Sequence, residues 1–235
     1  MSTALDSRFR GNDKKYELLV FDWDGTLADS AALIVTGMQR AIVELKLPAR
    51  SDPQIRELIG LGFHDAMSRL YPEFAPEDIV KALEDYRRLL LRGGHAEHGP
   101  AEAPLFEGAL ATLRTLHATG YRIAVATGKS RNSLERSLKR HPEVRELLSS
   151  SRCADESAAK PDPAMLHELL EVEDLAADRA LMIGDTEFDM LMARSARMPA
   201  VGVACGVHEH ERLRVAGALE ILRDVSGLGA WLGHP

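Results

Sequence analysis

The sequence predicts an α/β protein with a doubly wound, mostly parallel sheet and an inserted α-helical unit. Short apolar runs that end at polar turns alternate with segments of helical length, which is typical of repeated strand–helix units. The predicted strands are 18–21, 121–126, 180–183 and 200–203, and the predicted helices between them are 108–119, 130–140, 163–171 and 187–197. A third observation is that the stretch 28–104 lacks a convincing strand and shows only helical patterns.

The four predicted strands have the continuous apolar character of strands that are buried on both faces. The first, 18–21, reads Leu-Leu-Val-Phe and stops at an Asp-rich turn. The second follows Gly120, the third ends at Gly184, and the fourth follows Pro199. Gly and Pro commonly mark the ends of regular elements, so these boundaries support the strand assignment.

The stretch 28–104 is predicted to form a helical cap domain inserted into the sheet domain. Its predicted helices are 30–47, 53–60, 62–71 and 76–92, and in the last of these one apolar face is formed by Ile79, Leu83, Tyr86 and Leu90. A link rich in Gly and Pro, 93–104, leads back to the α/β pattern. We therefore expect a core domain of 16–27 and 105–235, a cap that acts as a lid, and a flexible N-terminal tail, 1–15.

Composition excludes several classes of function. The 235 residues carry 29 Lys+Arg against 36 Asp+Glu, a net charge of −7, which argues against a nucleic-acid or anionic-membrane partner. A membrane helix needs about 20 consecutive apolar residues, and no apolar run in the sequence approaches that length. Cys153 and Cys205 are too few for a disulfide framework or a multi-cysteine zinc site. We expect a cytoplasmic protein.

Acidic residues follow two of the predicted strands. Asp22 and Asp24 come directly after the first strand, and their spacing places both on one side of an extended chain. Asp185 and Asp189 follow the third strand at a spacing that keeps them close on a helix start. Clustered carboxylates repel one another unless a cation lies between them, and hard oxygen ligands suit Mg²⁺. The sequence therefore predicts a Mg²⁺ site formed by Asp22, Asp24, Asp185 and Asp189.

Other polar residues are suited to binding a phosphoryl group. Thr127 and Gly128 end the second strand and offer a hydroxyl and backbone N–H groups at a helix start. Lys160, flanked by two prolines in Lys-Pro-Asp-Pro, supplies a cation. Together with a metal ion they would neutralise the charge on a transferring phosphoryl group. Asp22 would then attack phosphorus, and Asp24 would protonate the leaving oxygen and later deprotonate water.

These segments resemble the haloacid dehalogenase superfamily, whose four motifs occur here in order. They are Asp22-x-Asp24-Gly25-Thr26-Leu27, Thr127, Lys160-Pro161 and Gly184-Asp185-Thr186-x-x-Asp189. The resemblance implies a Rossmann-like core with a C1-type cap, most similar to the phosphoglycolate-phosphatase-like branch. It implies that Asp22 is the nucleophile, that Asp24 is the acid/base, and that the last acidic pair helps to hold Mg²⁺. The predicted phosphate-binding residues are Thr127, Gly128, Lys160, Gly25 and Thr26.

Several residues are left open by the sequence. Lys129 either reaches the site or faces solvent, and we favour solvent. The glycines at 60 and 62 either allow close approach to a ligand or form a plain helix–helix turn; in the first case His64 or Arg69 would meet the non-phosphate end of the substrate. The remaining histidine pairs, which lack metal-ligand spacing, are predicted to be solvated: His95, His98, His208 and His210.

The predicted function is a Mg²⁺-dependent phosphatase acting on a small phosphorylated metabolite. The alternatives are a phosphomutase of the β-phosphoglucomutase type, which would return the phosphoryl group to a sugar, and a phosphoryl-accepting switch similar to a receiver domain. Receiver domains are about half this length, have no inserted cap and use a different motif order. We expect a monomer or homodimer.

Overall fold

The computed structural model describes residues 15–75, 77–81 and 102–234. Within this part of the chain, a six-stranded parallel sheet has the order β3-β2-β1-β4-β5-β6. The strands are β1 (Leu18–Phe21), β2 (Arg122–Thr127), β3 (Leu148–Cys153), β4 (Ala180–Gly184), β5 (Ala200–Val203) and β6 (Ile221–Leu222). The chain runs outward from β1 in both directions, so the doubly wound prediction is confirmed. The switch between the two halves lies between β1 and β4, where open sheets bind ligands.

Helices cover both faces of the sheet. They are α1 (Ala31–Glu44), α2 (Asp52–Arg56), α3 (Phe63–Leu70), α4 (Ala109–Ala118), α5 (Arg131–Arg140), α6 (Pro142–Leu147), α7 (Ala164–Glu173), α8 (Glu187–Ser195), α9 (His210–Ala216) and α10 (Leu228–Trp231). Along β1, Leu19 and Phe21 join one apolar cluster, while Leu18 and Val20 join the cluster on the opposite face. This alternation follows from the two-residue period of a strand. It explains why β1 is apolar throughout.

Two strands were not predicted. β3 has the sequence Leu-Ser-Ser-Ser-Arg-Cys, and its serines do not form an apolar run. Ser149 and Ser150 instead donate hydrogen bonds to the buried carboxylate of Glu173, at the end of α7. β6 has only two residues, Ile221 and Leu222, and borders the sheet beside β5.

The helical segments between β1 and α4 pack around a separate apolar cluster, to which Phe188 of α8 also belongs. Ile42, Ile55, Met67, Tyr71 and Ile79 are buried in this cluster. Residues 77–81 are helical, whereas the rest of the predicted helix 76–92, including Leu83, Tyr86 and Leu90, lies outside the described residues. The 28–104 boundaries of the cap domain stay a prediction.

The two connections between the helical unit and the sheet run side by side. Ala28 forms an antiparallel bridge with Leu105, and Asp29 N–H donates to the carbonyl oxygen of Pro104 at 2.9 Å. Because the insertion starts at the carboxyl end of β1, these paired connections hold it beside that end of the sheet. Among the helices described, none combines the length and the apolar character that a membrane-spanning helix requires.

Candidate active site

Three carboxylates converge at the carboxyl ends of β1 and β4. Asp22 directly follows β1, and its N–H donates to the carbonyl oxygen of Ile183 in β4 at 2.9 Å. One carboxylate oxygen from each of Asp22, Asp185 and Asp189 lies within 4.8 Å of the others, and all three side chains are buried. The sheet order thus brings together residues that are 167 positions apart in the sequence, as Asp22 and Asp189 are.

Hydrogen bonds fix the two carboxylates contributed by the β4–α8 segment. Asp185 accepts from Thr26 Oγ1 at 2.9 Å and from the N–H of Val207 at 3.0 Å. Asp189 accepts from the N–H of Thr186 at 3.1 Å and from its hydroxyl at 2.7 Å. Thr186 in turn caps α8, so Asp189 is held by the reciprocal hydrogen bonds of a capping box.

Lys160 lies between two of these carboxylates. Its Nζ is 2.8 Å from Asp22 Oδ1 and 2.7 Å from Asp189 Oδ1, and its side chain is fully buried. Burial lowers the pKa of an ammonium, but here the charges of Asp189 and Asp22 outweigh burial, so the pKa of Lys160 is raised. Lys160 therefore stays charged in the site.

The buried site carries more negative than positive charge. One ammonium faces three carboxylates, which leaves two negative charges unbalanced when all three are ionised. Burial, together with the charges of Asp189 and Asp24, raises the pKa of Asp22 to about 7 against the opposing effect of Lys160. Burial and the charges of Asp22 and Asp189 likewise raise the pKa of Asp185 well above its ordinary value.

The donor set fits a divalent cation. Asp22 Oδ2 is buried and has no hydrogen-bond partner among the described residues, and such an atom is costly unless a ligand satisfies it. The carboxylates supply hard oxygen ligands, which suit Mg²⁺ or a similar ion. Asp24, predicted as a fourth ligand, is not part of this carboxylate cluster.

The Asp24 carboxylate instead pairs with Lys129. Lys129 Nζ lies 3.0 Å from Asp24 Oδ1 and 3.3 Å from Asp24 Oδ2. Their side chains are 16% and 12% exposed. The expectation that Lys129 faces solvent is therefore wrong. Its position could not be read from the sequence, because the partner is 105 residues away.

The loop after β2 lies beneath the helical unit. Thr127 is fully buried, and its Oγ1 accepts from the N–H of Lys129 at 3.2 Å, which leaves the hydroxyl hydrogen to be donated. A Cβ at residue 128 would lie 2.6 Å from the carbonyl oxygens of both Gly60 and Leu61. The Gly60–Gly62 segment, which the sequence left open, thus packs against the predicted phosphate-binding loop.

A family profile described as "Haloacid dehalogenase-like hydrolase" matches residues 19–203, a range that contains Asp22, Lys160 and the Asp185–Asp189 pair. The chain belongs to the haloacid dehalogenase-like hydrolases. It is 29% identical over 223 residues to a phosphoglycolate phosphatase from Rhodospirillum rubrum, covering 92% of this chain and 91% of the relative. A phosphoglycolate phosphatase from Vibrio cholerae is 30% identical over 223 residues, covering 92% and 96%.

A solved structure of a hydrolase from Pseudomonas syringae has a TM-score of 0.74 at 25% identity and covers 92% of this chain and 97% of that chain. These matches identify a phosphatase of the haloacid dehalogenase-like family with similarity to phosphoglycolate phosphatases. Enzymes of this family generally use a divalent metal, which agrees with the buried carboxylate cluster.

In this haloacid dehalogenase-like site, Gly25 and Thr26, which are predicted to bind phosphate, make hydrogen bonds within the protein. The N–H of Gly25 donates to the carbonyl oxygen of Ala28 at 2.9 Å, and the hydroxyl hydrogen of Thr26 is donated to Asp185. Gly25 has a φ of +82°, and a Cβ there would collide with the Asp185 carboxylate. Both residues shape the turn after β1 and hold Asp185.

Of the histidines predicted to be solvated, His208 differs from the prediction, whereas His210 is exposed as predicted. His208 is buried: its Nδ1 accepts from the N–H of Glu187 at 3.0 Å, so the hydrogen on Nε2 is donated to the carbonyl oxygen of Glu57 at 3.2 Å. It therefore joins the start of α8 to the helical unit.

His95 and His98 lie outside the described residues. His64 is 51% exposed beside Asp65, and neither it nor the exposed Arg69 contacts the carboxylate cluster.

Proposed function

We propose that this chain is a Mg²⁺-dependent phosphatase that hydrolyses a small phosphomonoester through an aspartyl phosphate on Asp22. The observation that carries the proposal is the buried Asp22 carboxylate, held between Lys160 and two further carboxylates at the sheet switch point. A carboxylate in this position has an oxygen free for a ligand and a cationic partner, Lys160, that helps to balance the charge of a phosphoryl group.

In the first step a carboxylate oxygen of Asp22 attacks phosphorus, and the bond from phosphorus to the ester oxygen breaks. Asp24, when protonated, gives its proton to that oxygen, so that the alcohol leaves neutral. Thr127 and the N–H groups of its loop bind the phosphoryl oxygens, and Lys160 balances their charge.

In the second step water attacks phosphorus of the aspartyl phosphate. Asp24, now ionised, takes a proton from this water, and the bond from phosphorus to the Asp22 oxygen breaks. Inorganic phosphate is released, and Asp22 is again a free carboxylate. Asp24 ends the cycle protonated and ready for the next ester, so that each proton is accounted for.

Asp22, Asp185 and Asp189 would hold the Mg²⁺ ion. When bound, Mg²⁺ supplies positive charge that stabilises the phosphoryl group as it is transferred. The three carboxylates are the residues that such an ion would neutralise, which is consistent with the raised pKa of Asp22 and of Asp185. The Asp24 carboxylate pairs with Lys129, so it is not proposed as a ligand of the Mg²⁺ ion. Asp24 lies beside Asp22 in the chain.

The substrate is proposed to be a small phosphorylated metabolite, either a phosphoglycolate-like hydroxy-acid phosphate or a sugar phosphate. Two relatives named phosphoglycolate phosphatase support the first choice. The packing of Gly60 and Leu61 against Gly128 supports a small substrate, because the helical unit closes directly over the predicted phosphate-binding loop. We further propose a cytoplasmic enzyme that acts as a monomer or homodimer.

A phosphomutase needs a base on the helical unit to activate a sugar hydroxyl. His64, the candidate for that base, is 51% exposed and lies 3.5 Å from the carboxylate of Asp65. No contact of His64 favours this second function, so hydrolysis is the proposal.

The test is release of inorganic phosphate from a panel of metabolites, with Mg²⁺ and with EDTA. We expect phosphate release only with the metal, and none from Asp22→Asn. The control is Asp178→Asn, which removes an exposed carboxylate at the opposite end of β4 and leaves activity unchanged. Activity that persists in EDTA or in Asp22→Asn would contradict the proposal, and an isomerised product without phosphate would favour the mutase.

A further inference from the structure

Lys129 holds the carboxylate of Asp24 by both oxygens. Its Nζ is 3.0 Å from Oδ1 and 3.3 Å from Oδ2, and both side chains are largely shielded from solvent. An ion pair in a partly buried position is screened less than a surface pair and restricts the side chains that form it. Among the described residues, Lys129 is the cation that contacts this carboxylate.

The backbone of Lys129 is fixed from two sides. Its N–H donates to Thr127 Oγ1 at 3.2 Å, and its carbonyl oxygen accepts from the N–H of Ala154 at 3.0 Å. The preceding Gly128 lies against the carbonyl oxygens of the Gly60–Leu61 segment. The Lys129 ammonium is therefore held beside Asp24 by a loop whose backbone is hydrogen-bonded on both sides. The same loop carries the Thr127 hydroxyl, which is predicted to bind phosphate.

We propose that Lys129 is a positioning residue that holds the Asp24 carboxyl group toward the leaving-group oxygen of the substrate. This inference rests on the proposed function, in which Asp24 is the acid and base. A short side chain on a turn can rotate about two bonds, and an unheld carboxyl group would spend part of its time turned away from the ester. Correct orientation of a catalytic group contributes strongly to the rate.

The pairing is compatible with both proton transfers. When Asp24 is protonated, one oxygen carries the proton toward the ester oxygen, and the other still accepts a hydrogen bond from Lys129. When Asp24 is ionised, Lys129 holds the carboxylate as it takes a proton from water. Lys129 takes part in neither proton transfer and acts only through Asp24.

The experiment compares leaving groups in Lys129→Met, Lys129→Arg and Asp24→Asn. An alkyl phosphomonoester needs a proton on its leaving oxygen, whereas 2,4-dinitrophenyl phosphate does not. We expect Lys129→Met to lower kcat/KM about 10²-fold for the alkyl ester, the scale of general acid catalysis, and to change it less than about 3-fold for the aryl ester. Lys129→Arg, which keeps a cation, restores part of the alkyl activity.

Two further measurements separate positioning from general damage. In the double variant with Asp24→Asn, Lys129→Met should add no further loss, because residues that act as a unit are not additive. Lys139→Met removes an exposed lysine from α5, the helix that follows Lys129, and should leave kcat/KM for both substrates unchanged.

Equal losses on both esters, or additive losses in the double variant, would overturn the role of Lys129 while leaving the proposed function intact. If Asp24→Asn lowers kcat/KM equally for the alkyl and the aryl ester, Asp24 is not the acid, and the inference about Lys129 fails as well. These two patterns are distinct, and unfolding curves of each variant show whether Lys129→Met is folded. Should it not fold, Lys129→Gln is measured in its place.

Discussion

Gly128 lies directly beneath the carbonyl oxygen of Leu61, and a Cβ at residue 128 would stand 2.6 Å from that oxygen. The carbonyl oxygen of Gly60 lies at the same distance. This contact joins the loop that carries Thr127 to the helical unit above it. Both partners are backbone atoms, so neither can rotate away as a side chain would.

Gly128→Ala is expected to prevent this close approach. Overpacking of this kind costs about 1–3 kcal/mol. If it destabilises the arrangement in which the helical unit packs on the Thr127 loop, kcat/KM falls about 10- to 100-fold. The measurement is steady-state phosphate release from the best substrate. The matched control is Gly37→Ala in α1, where a Cβ meets nothing within 4 Å and where alanine adds about 0.5–1 kcal/mol of stability. Unchanged kcat/KM in Gly128→Ala would show that this packing is not needed for activity.

The raised pKa of Asp22 predicts how stability depends on pH without metal. Its pKa is about 7 in the folded protein, against an ordinary value of 3.8. Between these values the folded protein holds a proton that the unfolded chain has released, so the free energy of unfolding falls as pH rises. In EDTA, wild type should therefore lose stability relative to Asp22→Asn as pH rises from about 4 to about 7.

Urea unfolding of the two proteins across this pH range measures the difference, and the contributions of titratable groups remote from Asp22 cancel. Saturating Mg²⁺ should flatten the dependence, because the cation binds the ionised carboxylates. A wild type that gains stability relative to Asp22→Asn as pH rises would contradict the charge imbalance of the site.

Lys160→Met is expected to destabilise the protein strongly at neutral pH. The variant removes the ammonium that lies between Asp22 and Asp189, and breaking a buried ion pair costs about 3–5 kcal/mol. The loss should shrink at acid pH, where the carboxylates take up protons, and with saturating Mg²⁺. Urea unfolding in EDTA at neutral pH tests this, with the exposed Lys139→Met as the control. A loss no larger than that of the control would mean that Lys160 does not balance these carboxylates.

Much of the fold followed from local sequence patterns, because β1, β4 and β5 are continuous apolar runs whose burial needs no knowledge of their neighbours. β3 was missed because its serines are satisfied by Glu173, which belongs to a helix that comes later in the chain. A polar strand of this kind is recognisable only once its partner is known.

The carboxylate cluster was predicted because the ends of parallel strands meet at one edge of the sheet. The roles of Lys129 and His208 were not predicted, since their partners Asp24 and Glu57 are distant in sequence and no short-range spacing marks them. The hydrogen bonds that Gly25 makes within the turn and that Thr26 makes to Asp185 were likewise not predicted, because Ala28 and Asp185 are identified as partners only in the folded chain.

His208 is expected to contribute more to the free energy of unfolding than the neighbouring ion pair between Arg212 and Glu57. It is buried between the N–H of Glu187 and the carbonyl oxygen of Glu57, whereas Arg212 and the Glu57 carboxylate are 32% and 56% exposed. His208→Ala leaves two backbone groups without a partner, which costs about 1–3 kcal/mol. Arg212→Ala removes pairs worth about 1 kcal/mol or less. Thermal unfolding of the two variants tests this order, and an equal or greater loss in Arg212→Ala would reverse it.

Burial, and then the charge of Arg212, lowers the pKa of His208. A folded-state pKa below the ordinary 6.5 means that the unfolded chain takes up the proton first, so stability falls as pH drops below about 6.5. His208→Gln should lose less stability than wild type on acidification. If both lose the same amount, protonation of His208 does not weaken its link to Glu57.

The central claim, that Asp22 takes up the phosphoryl group, is tested most directly by trapping the intermediate. Asp24→Asn is mixed with 2,4-dinitrophenyl phosphate and Mg²⁺, quenched, reduced with borohydride and digested for peptide mass spectrometry. An aspartyl phosphate is reduced to homoserine, and we predict this change at residue 22 alone, with none in EDTA. Modification at another residue, or release of dinitrophenol with no modified Asp22 at any quench time, would contradict the account.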